Sequence, residues 1–389
     1  MRHTVRRLEV KTIRVLAVGD PAVDAYTRPE YGILPRFEEA EGIKVDFDIV
    51  PWDSYYGTLM DAFSGTKQYD IVMVAGHLWL RDFVEKGYLA ELSEPGAAGY
   101  HPEDILPVVD DEMKVLGTRY LYPSFCDGHI ILYRKSAVLE RIGKLLPEAI
   151  STDEYREIVA KCHGFNGMAG VAMKAHESEV FLDFLPYLRT EGVDAFTDGA
   201  PTFNGPEGVK ALKKYINLKE YAITGTENFG NTEVSQAFRE RKVALAVTWG
   251  GQLGVNFTGG CEDFADVGFS TFKTAWNVTW SFGITSKSAN KNEAEKLLMY
   301  LTSTDVDKAV GNYAGSPVRI STYEAGRNKN PWYDSHLAML EQYAKPLPSL
   351  VNMGAIMAPL YKYIHQAFTG TISPEKALIE AYAEIEKLL

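Results

Sequence analysis

Cysteine is scarce: Cys126, Cys162 and Cys261 are the only three in a chain of 389 residues. Their number and scatter fit neither a disulfide framework nor a zinc site of the CxxC kind. Long hydrophobic runs are missing too. No uninterrupted apolar stretch approaches the roughly 20 residues a membrane-spanning helix needs. The net charge is −12, from 40 Lys and Arg against 52 Asp and Glu, and no basic run marks an electrostatic footprint. Such a balance repels polyphosphate backbones, so no nucleic-acid partner is expected. Met1–Lys11 is basic through Arg2, Arg6, Arg7 and Lys11, but no apolar segment follows, and it does not read as a secretory signal. Catalytic motifs are wanting as well: there is no GxSxG elbow, HExxH, GxxxxGK[ST] loop or GxGxxG after a strand. Gly250, Gly251 and Gly254 have the wrong spacing for a dinucleotide cradle. Cys126 beside His129 reads as a small buried side chain before a turn rather than as a thiol with its base. No cofactor or metal is implied, because no second cluster completes a ligand set around Cys126 and His129.

What is present is ordinary globular composition, 46% apolar and 24% charged. The length exceeds what one hydrophobic core sustains and points to two compact units. Ile13–Val18 is a short apolar run ending in Gly19 and Asp20. Ile33, Leu34, Phe37 and Ala40 recur at helical spacing until Gly42 stops them. Ile43, Val45, Phe47 and Ile49 then alternate with charged residues, the period of a half-buried strand. A helix around Tyr55–Phe63, a strand Asp70–Val74 and a helical stripe of Leu80, Phe83 and Val84 follow. This alternation predicts a parallel sheet covered by helices.

A second set of elements begins at Ser151–Glu154, a capping box. Pro206 opens another helix, Val243–Thr248 is an apolar strand ending in Trp249, and Ser281–Thr285 reads as a further strand. Helices carrying Ala294, Leu297, Leu298 and Leu301, and then Leu378, Ala381 and Ile385 behind the Ser373 cap, close the chain.

Trp52, Trp79, Trp249, Trp276 and Trp280 all fall at expected loops or strand ends. In open α/β sheets these positions face a ligand crevice. A flat indole beside carboxylates and amides suits a sugar, whose C–H face packs on the ring while its hydroxyls need hydrogen-bond partners. Each of these residues has a plainer reading as packing. Asp20 and His77 follow expected strands, Asp127 follows the segment Leu121–Pro123, and each equally suits a cap or turn. His176–Glu179 is polar enough to meet a cation or a hydroxyl, and reads equally as a solvated turn.

The ordered series Phe37–Val45, Tyr69–Val72, Phe83–Leu92, Tyr122-Pro123 with Ile130–Lys135, Ala246–Trp249, Trp280–Ile284, Gly315–Arg319, Ala344–Pro348 and Ser373–Leu378 resembles the family 1 extracellular solute-binding proteins of ABC importers. That group includes maltose-binding protein, and the resemblance runs from about Ile13 to Leu389. Arg134-Lys135 stands where the family usually has Asn-Lys.

The resemblance implies a type II periplasmic-binding-protein fold, two α/β lobes with a hinge and a ligand between them. The first lobe is expected over 10–123 and 272–314, and the second over 124–271 and 315–389. Crossings are expected near Pro123–Cys126, Thr271–Lys273 and Ala314–Pro317. The resemblance places Asp20, His77 and Asp127 in the cleft from the first lobe and the hinge. Glu179, Phe181 and Trp249 come from the second. Trp276, Trp280 and Arg319 lie near crossings, and Trp52 and Trp79 are further candidates.

The function it implies is delivery of a mono- or oligosaccharide to a membrane permease, by a monomer outside the cytoplasm and without catalysis. The missing leader leaves a cytoplasmic location open. Two alternatives stand beside this reading. One is a receptor for an amine, an anion or a metal chelate. The other is a carbohydrate-active enzyme using Asp127 and Glu179 as an acid–base pair.

Overall fold

The computed structural model describes residues 11–256 and 261–389; most of the basic stretch at the N-terminus lies outside the described residues. Ten strands build two sheets: β1 Thr12–Val18, β2 Lys44–Val50, β3 Ile71–Ala75, β4 Tyr122–Gly128, β5 Ile130–Arg134, β6 Ala149–Ile150, β7 Ala169–Ala172, β8 Val243–Thr248, β9 Val267–Phe272 and β10 Asn277–Ile284. The first sheet has the order β2-β1-β3-β10-β4 and the second β6-β9-β5-β8-β7.

In the first sheet β1 runs parallel to β2 and β3, in register from Thr12 opposite Lys44 to Val18 opposite Val50. Strand β10 returns antiparallel to both β3 and β4. The parallel strand β3 is buried along its whole length, as expected where helices cover both faces of a sheet. Edge strand β2 alternates exposed and half-buried residues over Lys44–Phe47, and the rest of it to Val50 is half-buried.

Local signals explain the helix boundaries. Gly42 closes the helix Ile33–Glu41 at φ 67°, a left-handed conformation that glycine adopts without a Cβ penalty. Ser151 and Glu154 form the expected capping box on Thr152–Cys162. Ser373 caps Pro374–Ile385 by accepting from the Lys376 amide. Among the helices the sequence reading does not name is Pro21–Thr27, although Asp20 as N-cap and Pro21 at the first position are its ordinary start signals.

The chain changes sheets at His129, between β4 and β5, and again over residues 273–276, between β9 and β10. The first passage falls later than Pro123–Cys126 because β4 keeps pairing with β10 as far as Gly128. Past Ala314 the chain is still tied to the first sheet's surroundings. The Leu106 amide donates to Val318 O, and Arg319 donates to the carbonyls of His101 and Thr302. Near the end, helix Met353–Phe368 packs against Val180–Thr190 of the second half.

Candidate ligand-binding cleft

The parallel strands of the two sheets point their carboxyl ends at one another. From the first, Gly19, Asp20 and Pro21 follow β1, Trp52 follows β2 and Leu78 follows β3. From the second, Trp249 and Gln252 follow β8, while His176, Ser178 and Glu179 follow β7. The first turn of helix Asn231–Arg239 adds Asn231, Thr232 and Glu233. Asp127 near the end of β4, Trp276 in the second crossing, and Val278 and Trp280 on β10 complete the walls of a cavity of about 430 Å³. This volume lies within the usual range of roughly 300–1,000 Å³ for small-molecule sites. A neighbouring hollow continues past Trp52 and Leu78 to Tyr56, Trp79, Met357 and Tyr361.

Hydrogen bonds join the two halves across this space. Gln252 Nε2 donates to Asp20 Oδ2 at 3.1 Å, and the Gly251 amide donates to Asp127 Oδ1 at 2.8 Å. Gly251 has to be glycine in this arrangement. A β-carbon there would stand 2.7 Å from Asp20 Oδ1 and 3.2 Å from Asp127 Oδ1.

The family model for bacterial extracellular solute-binding proteins matches residues 22–308, well over half of the chain. The chain belongs to that family. A relative from Sinorhizobium fredii, named a probable amino-acid ABC transporter periplasmic-binding protein (y4oP), is 24% identical over 97% of this chain and 89% of its own. The mannitol-binding protein of Pseudomonas aeruginosa is 27% identical over 76% of this chain and 75% of its own. Among solved structures, maltose-bound T. maritima MalE3 superposes with a TM-score of 0.86 at 21% identity, covering 98% of this chain and 100% of the other. The fold is therefore the type II periplasmic-binding-protein fold. The family and these relatives are solute-binding proteins rather than enzymes.

In this solute-binding protein the indoles are held from behind. Trp249 donates from Nε1 to Glu179 Oε2 at 3.1 Å, and the Lys174 ammonium lies 3.4 Å from its ring centroid. Trp276 meets Trp249 edge-on at 5.5 Å and donates to His77 Nε2 at 3.3 Å. That bond requires a bare Nε2 on His77, so its proton sits on Nδ1, which faces Glu112 Oε2 at 3.3 Å. Trp52 stacks on Trp79 at 5.9 Å and meets the edge of Trp280 at 5.8 Å.

Burial dominates the electrostatics. It pushes Asp20 up to about 6 and Glu179 up to about 7. It also raises Asp127 well above the usual carboxylate range, with the nearby Asp20 charge adding to the effect. Burial likewise pushes the Lys174 ammonium down. Lys174 donates to Val247 O and sits 3.8 Å from Asp183, beneath Trp249 rather than in the cavity.

Of the residues singled out in the sequence, Asp20, Trp52, Asp127, Glu179, Trp249, Trp276 and Trp280 are brought together around the cavity. Four others are placed elsewhere. His77 is buried behind Trp276 as its hydrogen-bond acceptor, and Trp79 faces the neighbouring hollow. Phe181 points into the core, edge-on to Tyr361 at 5.5 Å and fully buried. Arg319 is fully buried, with its guanidinium spent on the carbonyls of Thr302 and His101. Cys126 is buried in β4 and accepts from Thr279 Oγ1. His129 turns away from it: Nε2 contacts Leu182 O, so no thiol–base pair forms.

The sequence reading missed Gln252, Asn228 and Asn231–Glu233. Gln252 had one usable signal, its place just after a strand and a glycine pair. The helix start at Asn231 had only the preceding glycine.

Proposed function

We propose that this protein is the solute receptor of an ABC importer, working outside the cytoplasm as a monomer. Its two lobes close on a sugar or polyol and present it to a membrane permease. The observation that carries this reading is the wall of Trp249, Trp276 and Trp280 set beside Asp127, Glu179 and the Asn231 turn in one cavity. Apolar ring faces next to dense hydrogen-bonding groups suit a molecule that is apolar on one face and hydroxylated at its rim. The names of the mannitol-binding relative and of the maltose-bound neighbour point the same way.

Short passages at His129 and over residues 273–276 suit a rotation with little sliding, and a guest gripped from both sides favours the closed form. Among the described residues no helix is long and apolar enough to cross a membrane.

One relative is named a probable amino-acid ABC transporter periplasmic-binding protein, yet no lysine or arginine lines this cleft among the described residues. An α-carboxylate would therefore meet carboxylates instead of the cation it needs. A thermal-shift screen over sugars, polyols, amino acids and anions tests the proposal. A true ligand at about a hundredfold over its dissociation constant adds about 2.7 kcal/mol of stability. Stabilisation by amino acids or anions, with none by any sugar or polyol, refutes it.

A further inference from the structure

Asp20, Asp127, Glu179 and Glu233 line the cavity, and among the described residues no lysine or arginine does. The nearest buried cation, Lys174, lies under Trp249 and is engaged by Val247 O and Asp183. His176 shares its Nδ1 with Ser178.

The carboxylates keep acceptor capacity in reserve. Asp127 is 6% exposed; its Oδ1 takes the Gly251 amide, and its Oδ2 has no donor among the described residues. Glu179 accepts from Trp249 on Oε2 and has no donor on Oε1 among the described residues. Trp280 is 7% exposed, and its indole N–H, a donor, has no acceptor among the described residues. The cleft therefore offers a cluster of carboxyl groups with free acceptors, plus a free donor on another wall.

A neutral hydroxyl can donate to one such oxygen but does nothing to stabilise the ionised form of a desolvated carboxyl. An ammonium brings both the charge and three donors. The free indole N–H calls for an acceptor such as a hydroxyl oxygen.

We infer that the solute is a polyhydroxylated molecule carrying a protonated amine, an amino sugar or amino polyol, whose ammonium sits between Asp127 and Glu179. This rests on the reading of the cleft as a carbohydrate site. The high proton affinity of Asp20 and Glu179 in the empty cleft fits the same picture, because an arriving cation displaces protons there.

The test is titration calorimetry at pH 7 with matched probes: D-glucose, D-glucosamine and N-acetyl-D-glucosamine; D-sorbitol and 1-amino-1-deoxy-D-sorbitol; and putrescine as an amine without hydroxyls. At least one free amine should bind about tenfold or more tighter than its neutral counterparts. It should also release protons, seen as a dependence of the heat on buffer ionisation. Asp127→Asn, nearly isosteric, should erase the preference while the ligand-free protein melts no lower. Neutral probes that bind as well as the amines overturn the inference and leave the carbohydrate reading standing. Putrescine binding alone overturns both, and so does failure of every probe, charged and neutral.

Discussion

Gly251→Ala separates closure of the cleft from the folding of either half. Gly251 follows β8 in the second half, and the atoms a methyl group would strike all belong to the first. They are Asp20 Oδ1 at 2.7 Å, Asp127 Oδ1 at 3.2 Å and the Phe125 ring at 3.2 Å. The backbone at this position is not left-handed, so alanine brings no conformational strain of its own. The clash exists only when the lobes meet.

Relieving it means opening the cleft by some tenths of an ångström. That stretches the Gly251–Asp127 and Gln252–Asp20 hydrogen bonds as well. Overpacking of this kind costs about 1–3 kcal/mol. Because the cost falls on the closed form alone, it passes directly into affinity, a loss of about 5- to 150-fold. The ligand-free protein should melt as before. Calorimetry with whichever sugar or polyol the screen identifies measures the first effect, and a thermal melt without ligand measures the second. An unchanged dissociation constant would mean that this approach of the lobes plays no part in binding. A large drop in the melting temperature of the empty protein would mean that Gly251 serves folding.

Trp52→Ala removes an indole that is 36% exposed and stacked on Trp79. It should weaken binding about tenfold while costing the empty protein about 1 kcal/mol or less, checked by paired calorimetry and denaturant melts. Arg319→Lys should do the reverse. Loss of the fork on Thr302 O and His101 O costs about 2 kcal/mol or more of stability, with the dissociation constant unchanged. Glu179 and Asp20 have folded-state values near 7 and 6, raised above their ordinary 4.5 and 3.8. The folded protein therefore binds more protons than the unfolded chain between those limits. The stability of the empty protein should fall as pH rises through that window, and Glu179→Gln should flatten the fall in denaturant melts at pH 5 and pH 8.

The cleft was legible in the sequence wherever main-chain direction alone decides where a side chain goes. Asp20 and Trp249 sit one or two residues beyond parallel strands, and the carboxyl ends of such strands form the crevice whatever the packing. Trp280 reached the same place by another route. The resemblance puts it at the start of a strand, but β10 begins at Asn277 and is buried on both faces, so no alternation marks its length. It runs antiparallel to β3 and sets Trp280 opposite Ala75, the last residue of β3. The early part of an antiparallel strand thus shares the crevice with the late part of its parallel neighbours.

Phe181, His77 and Arg319 were illegible for the opposite reason. Each lies in or just before the first turn of a helix, where two residues in sequence point some 100° apart. Whether such a side chain meets ligand or core depends on which helix lies across from it. For Phe181 that is Met353–Phe368, about 180 residues further along. No local pattern carries that information. Position after a strand therefore predicts a neighbourhood, and distant packing decides which of its members touch the guest.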